Sequence, residues 1–206
     1  MRTTVAGVTT RGGTSSAESK AALRRRILEN RSALDASALA IAARRLRDVL
    51  LATAEIEAAR HVAAYVSVGR EPGTGPLLEA LFERGVEILL PVLQPDGDLD
   101  WAPYTGAHAL VSASRSMLEP TAEPVGVGAV ASVDAVLAPG LAVDRRGTRL
   151  GRGGGSYDRA LARVGGRAFT CAVLHDGEVL DIPVPRDPHD VPVVAAATPS
   201  GLHRLR

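Results

Sequence analysis

The chain has 206 residues and a formal net charge of +1, with 46% hydrophobic and 23% charged residues. These proportions are ordinary for a globular protein and exclude a chain that is disordered over its whole length. The near-zero net charge argues against a broad nucleic-acid-binding face, and no apolar run reaches the roughly 18 residues that a membrane-spanning helix needs. The lone cysteine, Cys171, excludes an intramolecular disulfide and favours a reducing, cytoplasmic location.

The basic residues are distributed unevenly between the two types. Of the 24 basic residues, only Lys20 is a lysine, and the other 23 are arginines. A GC-rich genome explains an excess of arginine without any function. The exception still matters, because a compact ammonium and a planar guanidinium are not interchangeable as anion ligands.

The first 18 residues differ from the remainder of the chain. They contain almost nothing apolar that could pack on a core, so we expect residues 1–18 to form a disordered extension. Residues 19–206 are expected to form one α/β domain, since a chain of this size favours a single domain.

Two helices are predicted before the first strand. A capping-box pattern at Ser15 and Glu18 predicts the first helix, over residues 15–31, with Lys20 and Arg24 one turn apart on one face. A stripe of apolar residues at helical spacing predicts the second helix, over residues 36–52.

Strands alternate with helices from residue 61 onward. Apolar and β-branched runs predict strands over 61–68, 86–92, 98–104, 134–139, 168–174 and 193–198. A helix is predicted over 76–84, so residues 61–92 are expected to form one βαβ unit. Residues 105–133 are predicted to be irregular. The alternation indicates an α/β fold with a mostly parallel sheet and helices on both faces.

The most informative segment is a glycine-rich run at residues 147–159, predicted to lead into a helix. Four glycines fall within five positions of this run: Gly151, Gly153, Gly154 and Gly155. Glycines let a ligand approach the backbone, and the start of the following helix offers unpaired N–H groups. Arg149 and Arg152 add guanidinium groups suited to phosphate. The run therefore predicts a phosphate site, with a flexible surface linker as the alternative.

The run does not fit three familiar glycine motifs. A P-loop needs a lysine after Gly155, a dinucleotide fingerprint needs a glycine at Ser156, and a lipase-type elbow needs a glycine at Asp158. Asp158 is expected in the first turn of the helix. There it either binds Mg²⁺ beside bound phosphates or only complements the helix dipole.

The run RLGRGGGSYDR, with the segment 139–144 just upstream, resembles the 5-formyltetrahydrofolate cyclo-ligase family. The resemblance covers about residues 19–198 and includes a Lys-x-x-x-Arg pair, Glu-x-x-Thr after a strand, a Glu-Pro pair and a late His-Asp. It implies ATP- and Mg²⁺-dependent cyclisation of 5-formyltetrahydrofolate to 5,10-methenyltetrahydrofolate, with release of ADP and phosphate. The substrate is then a reduced folate, and we expect a monomer that binds neither nucleic acid nor membrane.

The resemblance also assigns site residues position by position. The implied catalytic residues are Lys20, Arg152 and Tyr157. The implied nucleotide contacts are Lys20, Arg24, Arg149, Leu150, Gly151, Arg152, Gly153, Gly154, Gly155, Ser156 and Tyr157. The implied folate contacts are Val66, Glu71, Arg152, Gly153, Gly154, Gly155 and Ser156. The implied Mg²⁺ ligands are Asp158 and Asp190.

Three positions depart from the family pattern. Ser156 stands where an aromatic residue is common, Gly154 where some members carry a larger residue, and Gly73 where an acid is frequent. These departures affect the expected folate contacts more than the reaction type.

Without the resemblance, Lys20 and Glu71 can also be explained without any function. Lys20 then lies on a solvated helix face, and Glu71 is an exposed loop acid. Two other functions also fit an α/β domain with a phosphate loop: a sugar-phosphate isomerase, or a non-enzymatic domain that senses a phosphorylated metabolite.

Overall fold

The structure, a computed structural model, describes residues 16–112 and 118–206. The helices are α1 (Ser16–Ser32), α2 (Ala36–Leu51), α3 (Ala54–Glu57), α4 (Gly75–Glu83) and α5 (Ser156–Arg163). The strands are β1 (His61–Ala63), β2 (Glu87–Leu93), β3 (Leu99–Pro103), β4 (Leu110–Ser112), β5 (Leu118–Pro120), β6 (Ala135–Pro139), β7 (Ala142–Asp144), β8 (Arg149–Leu150), β9 (Phe169–Val173), β10 (Val179–Leu180), β11 (Ala195–Thr198) and β12 (Gly201–Arg204).

The predicted N-terminal extension falls mainly outside the described residues. Residues 1–15, including the predicted cap Ser15, lie there. Helix α1 begins at Ser16, inside the last three residues of that predicted extension.

A seven-stranded sheet in the order β12-β11-β9-β6-β1-β2-β3 forms the centre of the fold. Neighbouring strands from β11 to β2 pair in parallel, whereas β3 and β12 pair antiparallel at the two edges. The prediction of a mostly parallel α/β sheet is confirmed. So is the βαβ unit, since β1 and β2 are parallel and α4 joins them.

The chain reverses its direction of travel across the sheet at β1. From β1 it adds β2 and β3 on one side, and it then returns to place β6 on the other side. In open α/β sheets, ligands bind beyond the carboxyl ends of the strands at such a switch point. Here these ends lead into the segment after Ala63 and the segment after Pro139.

Helices cover both faces of this sheet, as predicted. Alternate residues of β6 point to opposite faces: Leu137 packs in a core with α2 and α4, and Val136 packs in a core with α5. Helix α2 starts at a cap in which the Asp35 carboxylate accepts the Ala38 N–H at 2.8 Å. Helix α1 packs through Ile27 on the small sheet β10-β7-β8.

The first strand is shorter than predicted, ending at Ala63 instead of residue 68. The Ala64 N–H still donates to the Leu89 carbonyl of β2 at 2.9 Å, but the residues that follow bond to Thr74 rather than to a strand. The Thr74 hydroxyl donates to the Tyr65 carbonyl at 2.7 Å and accepts the Ser67 N–H at 3.0 Å. These bonds turn the chain away from the ladder, so that Val66 faces the cavity described below.

The described part of the segment 105–133 also has more regular structure than predicted. It contains the antiparallel pair β4 and β5 and short 3₁₀ turns at Ala107–Ala109 and Ala129–Ser132. The strands β7, β8, β10 and β12 were not predicted either. Across the described ranges, none of the helices has the length and apolar content needed to span a bilayer.

Candidate active site

A cavity of about 1100 Å³ lies at the carboxyl ends of the parallel strands. Every residue that the family resemblance predicts to contact nucleotide, folate or Mg²⁺ lines this cavity. These residues come from four separate parts of the chain: α1, the loop after β1, the glycine run and the loop before β11. The functional roles of these residues stay a prediction. Their convergence in one space is what the structure adds.

The glycine run forms a loop between β8 and α5. Gly153 and Gly155 have positive φ angles of 106° and 69°, backbone conformations that residues with a side chain rarely adopt. The Arg24 guanidinium packs against Gly153, and its Nε donates to the Gly151 carbonyl at 2.9 Å. The predicted phosphate contact Arg24 therefore also holds the loop in place.

Lys20 lines the cavity and lies between two carboxylates. Its ammonium donates to Asp190 at 2.5 Å and to Asp187 at 2.7 Å. The residue is only 7% exposed, which excludes the alternative of a solvated helix face. Burial opposes the charged ammonium, but these two hydrogen bonds outweigh burial and raise the pKa of Lys20 above its ordinary value.

Asp190 shows the complementary balance. Burial alone would raise the pKa of its carboxyl, but the backbone N–H of Asp187 and the Lys20 ammonium hold that pKa below its ordinary value. Asp190 is therefore ionised at neutral pH, which is the form that binds a cation.

Arg149 and Asp158 form an ion pair beneath the glycine loop. Nη2 of the buried Arg149 donates to Oδ1 of Asp158 at 3.0 Å, and Nη1 donates to the Pro139 carbonyl at 3.1 Å. The guanidinium lies over the Tyr157 ring, 5.8 Å from its centroid. Arg149 Nε and the Tyr157 hydroxyl are buried and have no hydrogen-bond partner among the described residues.

Glu71 and Arg152 line the cavity and form an ion pair. The Arg152 guanidinium lies 3.0 Å from Oε1 of Glu71, and Oε2 of Glu71 accepts the Val68 N–H at 3.0 Å. The Glu71 side chain is 11% exposed, so it is not the ordinary surface acid that the sequence left open.

The three departures from the family pattern have distinct surroundings. The Ser156 hydroxyl donates to the Gly97 carbonyl at 2.5 Å and ties α5 to the turn between β2 and β3. A Cβ at Gly73 would lie 2.6 Å from the Ala43 Cβ of α2, so this position excludes any side chain while Ala43 stays in place. A Cβ at Gly154 would meet only the Ser156 hydroxyl, at 3.6 Å.

The donor set fits a divalent cation. Oδ1 of Asp158 accepts both Arg149 and, at 3.4 Å, the N–H of Val191, the neighbour of Asp190 in the chain. The other oxygen of Asp158 has no protein partner among the described residues, and Oδ1 of Asp190 has only the His189 ring, at 3.7 Å. Each carboxylate thus retains an oxygen for a cation that prefers carboxylates, phosphate and water.

Two cavity residues were missed from the sequence. Asp187, His189 and Asp190 bring their ligand atoms within 4.8 Å of one another, yet only Asp190 was singled out for binding. Glu119, whose carboxylate accepts the Leu93 N–H at 3.2 Å, also lines the cavity. Asp187 could have been found from the sequence, because two acids lie three positions apart in the Asp-Pro-His-Asp segment. Glu119 was noted as part of a Glu-Pro pair, but no role was predicted for it.

A cationic glycine loop beside two carboxylates, at the switch point of a mostly parallel sheet, defines an α/β enzyme that acts on a charged small molecule. Comparison with known proteins identifies the family. The model of the 5-formyltetrahydrofolate cyclo-ligase family matches residues 16–199. The chain belongs to this family, and it is therefore a ligase of folate metabolism.

Relatives and solved structures agree with this membership. The 5-formyltetrahydrofolate cyclo-ligase of Mycolicibacterium smegmatis is 39% identical over 197 residues, which cover 93% of this chain and 100% of that protein. The Escherichia coli K12 protein of the same name is 33% identical over 145 residues, which cover 69% of this chain and 79% of its own. The isomerase and sensor alternatives have no support from these relatives.

Two solved structures share the fold. The 5,10-methenyltetrahydrofolate synthetase of Aquifex aeolicus matches with a TM-score of 0.77 and 28% identity, covering 91% of this chain and 93% of that one. The Mycoplasma pneumoniae 5,10-methenyltetrahydrofolate synthetase matches with a TM-score of 0.69 and covers 87% of this chain and 98% of its own. At 19% identity, this second match shows the fold alone.

Proposed function

We propose that this ligase uses ATP and Mg²⁺ to close 5-formyltetrahydrofolate to 5,10-methenyltetrahydrofolate, with release of ADP and phosphate. The observation that carries the proposal is the convergence of a glycine loop, cationic side chains and two carboxylates in one cavity. Backbone N–H groups with Lys20, Arg24 and Arg152 suit a polyphosphate, and Asp158 with Asp190 suits Mg²⁺.

The chemistry explains why such a cavity is needed. A formamide carbon is a poor electrophile, so its oxygen first takes the terminal phosphoryl group of ATP, and ADP leaves. The N10 amine then attacks the activated carbon, and the C–O bond breaks to release inorganic phosphate. Such a reaction requires mainly the positioning of groups and the neutralisation of phosphate charge.

Each cationic residue has a place in this scheme. Lys20 follows the transferring phosphoryl group as a compact point charge, while Arg24 and Arg149 hold the remaining phosphates. Mg²⁺ held by Asp158 and Asp190 would neutralise the negative charge of the phosphates. Arg152, on the exposed part of the loop, reaches both ATP and folate.

The folate end of the cavity follows from the loop after β1. The Glu71 carboxylate can accept hydrogen bonds from pterin N–H groups, and Val66 provides an apolar contact beside it. Burial raises the pKa of the Tyr157 hydroxyl, despite the nearby Arg149 charge, so this hydroxyl stays protonated. A hydroxyl that stays protonated can donate a hydrogen bond, but it cannot act as a base at neutral pH.

Substitution of Lys20 tests the proposal in an absorbance assay for the methenyl product. We expect Lys20→Ala to lower kcat by about 100-fold or more, because a charge that stabilises the transferring phosphoryl is lost. Lys20→Arg should lower kcat by about tenfold, since a planar guanidinium cannot occupy the same position. Arg47→Ala, on the exposed face of α2, is the control and should match the wild type. A Lys20→Ala variant with the wild-type rate would contradict the role of Lys20.

A further inference from the structure

The loop before β11 holds the Lys20 ammonium in a fixed position. One oxygen of Asp190 accepts the Lys20 ammonium at 2.5 Å and the Asp187 N–H at 2.8 Å, which closes a tight turn over residues 187–190. The Arg186 guanidinium donates to the Asp190 carbonyl at 3.3 Å from outside this turn. The Asp190 carboxylate is therefore fixed relative to the backbone of Asp187, and the Asp187 side chain extends from that backbone to the same ammonium.

The hydrogen-bond valence of the ammonium limits how it can meet a ligand. A lysine ammonium has three donors and no acceptor. Within the described residues, two donors point to Asp190 and Asp187, at 2.5 and 2.7 Å. One donor remains for a phosphate oxygen, and its direction is set by the two carboxylates together. With one carboxylate alone, the ammonium could rotate about its single contact.

We propose that Asp187 is a positioning residue that orients Lys20 toward the transferring phosphoryl group. The inference rests on the proposed ATP-dependent reaction and extends it, since neither the family resemblance nor the sequence motifs assign a role to Asp187. The Asp187 side chain is 37% exposed and is not needed to fill the core. Its close contact with the buried ammonium is therefore better explained by orientation of Lys20 than by packing.

An orienting role of Asp187 and a purely electrostatic role predict different effects on kcat and on the KM for ATP. Two carboxylates around one ammonium leave a local charge of −1, which opposes the binding of polyanionic ATP. Removal of the Asp187 charge should therefore leave the KM for ATP unchanged or lower it. If Asp187 orients Lys20, the same change lowers kcat, because misplacement by about 1 Å can cost about 100-fold in rate.

The first experiment compares Asp187→Asn, Asp187→Glu and Asp181→Asn with the wild type in the cyclisation assay. We expect Asp187→Asn to lower kcat by about tenfold or more without raising the KM for ATP, and Asp187→Glu to recover part of the loss. Asp181→Asn is the matched control, since Asp181 lies on the surface, paired with Arg145. The Mg²⁺ concentration for half-maximal rate should be the same in Asp187→Asn and wild type.

The second experiment uses Lys20 as the chain's one lysine. Protein labelled with ¹⁵N-lysine has one side-chain ammonium, whose NMR signal is visible when its protons exchange slowly with water. We expect a sharp signal in the wild type and in Asp181→Asn, and a broadened signal in Asp187→Asn at the same pH. If the backbone amide spectrum of Asp187→Asn matches that of the wild type, the variant is folded and the change at Lys20 is local.

The outcomes separate the two proposals. Absence of ATP-dependent product in the wild type overturns the proposed reaction, whatever Asp187 does. An active wild type with an unchanged kcat and an unchanged ammonium signal in Asp187→Asn overturns the positioning role alone. A raised Mg²⁺ requirement in Asp187→Asn also overturns it, because Asp187 would then act as a metal ligand.

Discussion

Arg31 and Glu178 form a buried ion pair that anchors the helix carrying Lys20 and Arg24. Arg31 lies in the last turn of α1, and its guanidinium donates twice to the Glu178 carboxylate, at 2.7 and 2.8 Å. It also donates to the Gly140 carbonyl at 2.7 Å. The two side chains are 4% and 9% exposed, so water cannot replace these bonds.

We expect Arg31→Met to destabilise the protein by about 3–5 kcal/mol, because Glu178 becomes a buried charge with only the His175 N–H as partner. For a chain of this length, that loss lowers the melting temperature by roughly 6–20 °C. Urea unfolding, followed by the fluorescence of the buried Trp101, measures the free energy directly.

Two further variants make this prediction sharp. The double variant Arg31→Met with Glu178→Leu should recover most of the loss, since no unpaired charge remains. Arg145→Met, which breaks the exposed pair with Asp181, should cost less than about 1 kcal/mol. If Arg31→Met costs no more than Arg145→Met, the reasoning about the buried pair is wrong.

Two other predictions concern backbone strain and pH. Gly147 has a φ of 80°, and a Cβ there would lie 2.1 Å from the Val193 carbonyl oxygen, so Gly147→Ala should cost about 3 kcal/mol or more in urea unfolding. Gly177→Ala, with a φ of 82° and open space around its Cβ, should cost only about 1–2 kcal/mol; equal costs would contradict the steric argument. Burial lowers the pKa of His175 below 6.5, so the unfolded state binds its proton first as pH falls, and His175 contributes a loss of stability below about pH 6.5. The melting temperature should therefore fall less from about pH 7.5 to about pH 5.5 in His175→Gln than in the wild type; equal falls would contradict this sign.

Much of the fold could be predicted because the local pattern and the tertiary environment agree. The apolar runs at β6 and β9 are buried in the middle of the sheet, and the stripe of α2 faces its core. The strands that were missed are short, with two to four residues each. Val143 of the three-residue β7 pairs with Val179 of the two-residue β10, and strands this short have no periodicity to detect.

The site residues that belong to a sequence motif could be predicted. The contacts between residues far apart in the chain could not. The glycine run and Lys20 stand out in the sequence, and all the predicted site residues line one cavity. The pairing of Lys20 with Asp187, 167 positions away, depends on how α1 meets the loop before β11. The pairing of Arg149 with Asp158 was not predicted for another reason. Arg149 was predicted to bind phosphate and Asp158 to bind Mg²⁺, so a contact between the two was not considered.

The most direct test of the proposed reaction is the absorbance of the methenyl product when purified protein is mixed with 5-formyltetrahydrofolate. We predict that product forms only when ATP and Mg²⁺ are both present, with one ADP released for each methenyl group formed. Product formation that is equally fast without ATP, or no product from folded protein with both present, would contradict the proposed ATP-dependent cyclisation.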